Sequence, residues 1–383
     1  MLDDVMILDL THFLAGPYCT MVLAELGADV IRVEDPAHLD DARAMPPHRL
    51  GGESLYYLSL NAAKRSIALP LSNERGRDVF FRLVEKADVV VDNYKPGVMR
   101  KLGFDHQRLA DRNPRIVSCS VTGFGEDGPY AMRPGYDYTV TALAGVQYLT
   151  AETPTRAGIS YADHQAGLAA ALAILAALHE RSRTGVGRHL DVSLLDVQLS
   201  MLTYVAAFSL NAGDHQKPVP GGGHPVLVPT QNFRSRDGWV SLFVGNDPMW
   251  KRAKSVLQVP ELDDPRFDNV AGRAAHKQDV LDFVGRKLLD DTTAGWVARL
   301  EAAGVPCAPV NDVPAALADP QAQARGMVLE ERGPYGPYRR VAGPLPKLRV
   351  KSGPAPEMGA DTEELLRQAG ISIDTVLDPK DAN

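Results

Sequence analysis

Cysteine is almost missing from this chain of 383 residues. The three present, Cys19, Cys119 and Cys307, stand far apart, with neither the paired spacing of a metal site nor the density of a disulfide framework. A reducing, cytoplasmic setting is expected, with each cysteine a small buried apolar residue. No metal is expected, and no tightly held cofactor. Any block of one charge is also lacking: the net charge is −7 and the Lys and Arg residues are scattered. Without a basic stripe or tail, nucleic acid is not an expected partner. The longest apolar run, residues 168–178, falls short of the roughly 20 residues a bilayer-crossing helix needs. The first residues lack the basic and apolar regions of a secretory signal, so no membrane is expected. Two catalytic signatures are absent as well. No Gly-x-Ser-x-Gly elbow points to a serine hydrolase, and the loop 11–17 has one glycine where a dinucleotide fingerprint needs three.

What remains is an ordinary globular composition, 45% hydrophobic and 23% charged, in a chain long enough for two domains. Strand-like runs at residues 5–10, 29–33, 66–69, 89–92, 116–121 and 189–193 alternate with helical patterns at 17–26 and 72–86. That alternation predicts an α/β domain built on an open, Rossmann-like parallel sheet covered on both faces. Helices are expected at 137–149, from Asp163 to about residue 181, and at 195–210. The Pro- and Gly-rich passage 217–225 marks a crossing into a smaller mixed α/β domain, with a hairpin on Asp237-Gly238 and helices at 248–257, 277–289 and 293–303. The expected division is 1–215 for the first part of the large domain, 216–312 for the small one, and 313–383 for a return connector that completes the large one, ending in a helix at 362–368. So long a proline-rich connector needs something to lie against, and a partner subunit is one candidate.

Three loops at strand carboxyl ends carry unusual residues. Residues 61–65 hold Lys64 and Arg65, residues 92–98 hold Asn93, Tyr94 and Lys95, and residues 122–130 combine three glycines with Phe124 and Tyr130. Ligands of open α/β sheets bind in the crevice outside strand carboxyl ends, and cations, amides and aromatic faces together suit a phosphorylated adenine nucleotide. Asp163 stands where a polar run becomes an Ala/Leu-rich helix, the place of an N-cap. A carboxylate there is kept ionised by the helix dipole, which suits a nucleophile better than a general acid. His164 points about 100° away around the helix and makes a poor partner for it.

These residues, in this order, resemble the class III acyl-CoA transferases of the formyl-CoA:oxalate and carnitine CoA-transferase type, a family that also includes α-methylacyl-CoA racemases. The resemblance rests on Leu14-Ala15-Gly16-Pro17, the stretch Leu26 to Glu34, Asn61 with Lys64-Arg65-Ser66, and Asp92-Asn93-Tyr94 with Pro96-Gly97. Gly123-Phe124-Gly125, Asp163, Gly221 to Pro225 and Asp319-Pro320-Gln321 complete it. It implies an enzyme that moves CoA from a donor acyl-CoA to an acceptor carboxylic acid, dicarboxylates among them. Asp163 would be the nucleophile, passing through an aspartyl anhydride and an aspartyl-CoA thioester. CoA and its thioesters would be substrates, touched by Phe13, Leu14, Ala15, Lys64, Asn93, Tyr94 and Lys101. Asp35 stands where some members carry a CoA-binding Arg. Gly222 and Gly223 would belong to a mobile loop over Asp163, and two chains would thread into an interlocked homodimer. Racemases carry a His where this chain has Tyr136, a poor proton shuttle at neutral pH, and Asp247 alone does not restore a two-base site. Racemization, or CoA binding without catalysis, are the alternatives. Arg133, Arg156 and His224 suit a second substrate carboxylate, and the sequence does not choose among them.

Overall fold

In the computed structural model, which describes residues 1–372, the chain forms two compact units. The first is assembled from Met1–Ala144, Gly158–Met201 and the chain from Asp319 onwards, the second from Gly145–Ala157 and Leu202–Ala318.

The first unit is built on six parallel strands: β1 (Met6–Asp9), β2 (Asp29–Glu34), β3 (Arg65–Ala68), β4 (Val89–Asp92), β5 (Val117–Thr122) and β6 (His189–Ser193), in the spatial order 3-2-1-4-5-6. Strand residues alternate between two apolar cores. Ile7, Val91, Cys119 and Val121 face helices α1 (Ala15–Glu25) and α4 (Tyr161–Thr184). Leu8, Ile31, Val33 and Val90 face α2 (Glu74–Val84). A sheet buried on both faces is why these strands read as near-continuous Val/Ile runs. Helix α3 (Asp137–Leu143) precedes α4 on the same side.

By length and composition α4 is apolar enough to cross a bilayer, longer than the run read from the sequence. Its Ala166, Ala170, Ala171, Ile174 and Ala177 are nevertheless buried in the first core. A Cβ on Gly167 would lie 2.6 Å from the Ala15 carbonyl oxygen, so this glycine lets α4 settle on the start of α1. Gly185, at φ 75°, closes the helix as a left-handed C-terminal residue.

Two expected helices are each broken where the chain passes between units. The pattern at 137–149 is interrupted at Gly145 (φ 81°), and that at 195–210 at Thr203 (φ 33°). The crossing therefore lies at residue 202, not 216, because apolar periodicity runs through a break without registering it. The return leg from Asp319 onwards belongs to the large unit, as the expected division has it. Buried Arg340 bonds Glu25 at the end of α1 and Glu331, and the C-terminal helix Thr362–Ala369 buries Leu365 and Leu366 in the second core.

In the second unit an antiparallel sheet of Thr230–Arg234, Trp239–Phe243 and Cys307–Pro309 packs on helices Asp247–Leu257, Lys277–Leu288 and Thr293–Ala302 around Trp250 and Trp296. The hairpin pairs Arg234 with Trp239 across a loop of residues 235–238, wider than a two-residue Asp-Gly turn.

Candidate active site

The strand order reverses between β1 and β4, so the loops leaving these neighbours diverge and open the crevice in which doubly wound sheets bind ligands. The two loops are tied across it. Asn93 accepts the His12 N–H and donates its amide to the His12 carbonyl, both at 2.8 Å. His12 Nε2 lies 3.1 Å from the Tyr94 hydroxyl, and Nδ1 lies 3.8 Å from Asp40. Burial and the charge of Asp92 push the Tyr94 phenol up to about 12, so it stays protonated beside Nε2. Phe13 is held at φ 59°, a left-handed conformation that costs a non-glycine residue on the order of 1 kcal/mol or more. Its N–H bonds Asp40 at 3.2 Å. Phe13, Asn93 and Tyr94 thus meet at the crevice, and Leu14 and Ala15 follow at the first turn of α1. Lys101 is exposed in the short helix Val98–Leu102 beyond this loop.

Lys64 is not available to a phosphate. Its side chain is fully buried, and its ammonium donates to Asp9, the Asn61 side chain and the Pro17 carbonyl, at 2.9–3.0 Å. Burial, which outweighs the attraction of Asp9, pulls its pKa down to about 8, leaving the pair ionised at neutral pH. The chain continues inward, since Asn61 also accepts from Arg32, and Arg32 bonds Asp40. Burial works to raise the Asp40 carboxyl, but His12, Arg32 and the Ala42 N–H outweigh it and hold it below the usual range. Asp9, Lys64, Asn61, Arg32 and Asp40 are therefore one buried scaffold that shapes the loop bearing Phe13. Sequence reading missed Arg32, Asp40 and the bridging part of His12. A cation inside an apolar β2 was the available signal.

Asp163 is the third residue of α4, not its N-cap; that position belongs to Ser160. The helix starts earlier because Asp137, buried at the start of α3, accepts the Ala162 N–H at 2.8 Å. Asp163 is half-buried, within the first turn, where the dipole favours the carboxylate. Gly167 follows one turn later on the same face, and that residue touches Ala15, so the helix aims Asp163 at the crevice side. His164 is occupied: Nδ1 meets the Ser160 carbonyl at 2.7 Å, and the ring stacks edge-on with Tyr18. Tyr136, where racemases have His, precedes α3 and is exposed.

Asp92 ends β4 and is buried. It accepts from the Ser120 hydroxyl at 2.8 Å and from the Tyr94 N–H at 3.2 Å. Burial nonetheless pushes its pKa up from 3.8 to about 6. Between pH 4 and 6 the folded state then holds more of this proton than the unfolded chain, so this group's contribution to stability is lost as pH rises through 6. A shift of about 2 units at roughly 1.4 kcal/mol each makes the cost of ionisation about 3 kcal/mol. Asp92→Asn is expected to gain up to that amount at pH 7 and to flatten the stability profile between pH 4 and 6, read by urea unfolding across pH.

In the second unit Gly221 and Gly222 both adopt positive φ, 68° and 67°, in a turn at Pro220–Gly222. The Gly222 N–H bonds the Val219 carbonyl at 3.1 Å. Glycine suits Gly221 and Gly222 by conformation, and a Cβ on Gly223 would press on the Val219 side chain at 2.8 Å. Asp247 pairs with buried Arg273. Among the described residues no cluster suits a metal ion.

Comparison with known proteins gives this geometry a setting. The profile of CoA-transferase family III matches residues 2–362. Human succinyl-CoA:glutarate CoA-transferase is 34% identical over 375 residues, covering 96% of this chain and 85% of that one. Acetyl-CoA:oxalate CoA-transferase of Acetobacter aceti is 38% identical over 344 residues, 88% of each chain. The crystal structure of a CAIB/BAIF family protein from Brucella suis superposes with a TM-score of 0.85 at 32% identity, covering 96% of this chain and 99% of that one. With its parallel sheet and crevice already matching that architecture, the chain belongs to CoA-transferase family III and is an enzyme of CoA transfer.

Proposed function

We propose that the protein moves CoA from a donor acyl-CoA to an acceptor carboxylic acid, a dicarboxylate, with Asp163 as covalent relay. The observation that carries this is α4: it sets Asp163 in its first turn, one turn before the glycine that rests on Ala15 at the switch point. The Asp163 carboxylate attacks the donor thioester carbonyl and expels CoA thiolate, giving a mixed anhydride. The thiolate attacks the aspartyl carbonyl, releasing the donor acid and leaving an aspartyl-CoA thioester. The acceptor carboxylate attacks that thioester, expels the thiolate and forms a second anhydride. Attack of the thiolate on the acceptor's own carbonyl then yields the new acyl-CoA and restores Asp163.

No step takes or gives a proton, so no general base is required, in keeping with the engagement of His164 Nδ1 by Ser160. Amides of Gly222 and Gly223 would stabilise the tetrahedral oxyanions. The Gly222 N–H is used inside its own turn, by the Val219 carbonyl, and serves an oxyanion only once that bond is released. The dicarboxylate reading is supported by the relatives, whose names include glutarate and oxalate. Self-association is part of the proposal: helix Thr203–Ala212 buries none of its residues, and Tyr204, Phe208 and Leu210 are exposed on it, Leu210 at 83%. An apolar helix so uncovered suits the interface of a homodimer.

The test is interception. Incubated with donor acyl-CoA and hydroxylamine, the enzyme is expected to carry a hydroxamate on the peptide containing Asp163, detected by mass spectrometry and dependent on donor. Turnover without any such adduct overturns the covalent route.

A further inference from the structure

An acid with two carboxylates uses one in transfer and leaves the other to be recognised, and a buried or half-buried carboxylate calls for a cation. The sequence leaves three residues in view for this part, Arg133, Arg156 and His224, and the structure separates them. His224 accepts the N–H groups of Val226 and Leu227 at Nδ1, at 3.1 and 3.0 Å. Burial, followed by Lys277, holds it below its usual pKa, so the ring is neutral. Arg156 lies in the second unit and already has a partner. Four other cations of the large unit are committed: Arg32 and Arg43 to Glu34, Lys64 to Asp9, and Arg65 to Asp29.

Arg133 is different. It is exposed, pairs with no carboxylate among the described residues, and stacks its guanidinium 3.7 Å over the ring of Tyr130. Tyr130 is in turn edge-on to Phe124, with centroids 5.9 Å apart. Stacking covers the face of the guanidinium and leaves its in-plane N–H donors free, the arrangement that grips a carboxylate with two parallel bonds.

Its position is held by the chain that follows it. Two residues on, Gly135 presses on Gly123 at the carboxyl end of β5, where a Cβ on Gly123 would come within 2.5 Å of the Gly135 Cα. Two residues further, Asp137 bonds the N–H of Ala162, the neighbour of Asp163. Four residues of chain span at most roughly 14 Å, so the Arg133 backbone stays within that reach of the residue that caps the helix of Asp163.

We propose that Arg133 receives the distal carboxylate of a dicarboxylic acceptor and sets the enzyme's preference for such acids. This rests on the transferase reading above. The test compares wild type, Arg133→Gln and Arg133→Lys in the full-length enzyme, with one fixed acyl-CoA donor. The acceptors are dicarboxylic acids of four and five carbons and monocarboxylic acids of the same lengths. Arg133→Gln is expected to lose roughly 10- to 100-fold in kcat/KM for the dicarboxylates, mainly through KM. The monocarboxylates and the donor KM should be little changed, and Arg133→Lys should recover part of the loss. Equal loss for both acid classes, a raised donor KM as the main effect, or no preference for dicarboxylates in the wild type would each overturn the assignment. Failure of the transferase reading is distinct: the wild type would then transfer CoA to no acceptor in either class.

Discussion

Asp163→Asn is expected to lower CoA transfer by about four orders of magnitude or more while leaving the fold in place. A carboxamide cannot attack a thioester, and the two anhydrides and the aspartyl thioester all need the Asp163 oxygen. The variant is informative because one first-turn amide, the Ala162 N–H, is bonded by Asp137 whatever stands at residue 163. Asn also forfeits the attraction of a first-turn carboxylate for the helix dipole, about 0.3–1 kcal/mol. Initial rates measured by chromatography of CoA esters, together with thermal unfolding, check both halves. Transfer retained within tenfold of wild type in a folded Asp163→Asn protein would remove Asp163 from the centre of the reaction.

The second large effect is on stability. Lys64→Met is expected to cost about 3–5 kcal/mol, because it strands Asp9 in the core without its countercharge. Asp9 would keep its bonds from Thr11 and Thr20, which is why the loss stays below that of a wholly unpartnered ion. Asp9→Asn combined with Lys64→Met should recover part of the loss, since neither residue then carries a charge. Urea unfolding of the single and double variants reads the coupling. If Lys64 served only CoA, its removal would raise KM and leave the unfolding midpoint where it was.

The strands and the domain class were legible because a two-faced parallel sheet writes itself as apolar runs of strand length between amphipathic helices. The switch-point loops were legible for the same reason, as polar segments at strand ends. Other features lay outside that code. Lys64 looks like a surface cation from its neighbours in sequence, and only the fold brings Asp9, Asn61 and Pro17 around it. Asp163 looked like a cap because local pattern assigns capping to the nearest acid, whereas the carboxylate that caps arrives from Asp137. The breaks at Gly145 and Thr203 were hidden inside unbroken apolar periods.

The nesting of the second unit inside the first has a consequence for biosynthesis. The β3 edge of the large sheet is completed from the far end of the chain, where Asp361 accepts the N–H of Ser66 and Leu365 and Leu366 fill the core beside Phe80 and Leu83. Until residues 361–366 have left the ribosome, the large unit stands open along that side. The stretch from Leu202 to Ala318 is almost continuous in sequence and emerges first as a unit able to close. The unit that carries Asp163 thus closes after the other, and a chain broken off before residues 361–366 would leave an unclosed sheet rather than a shorter enzyme.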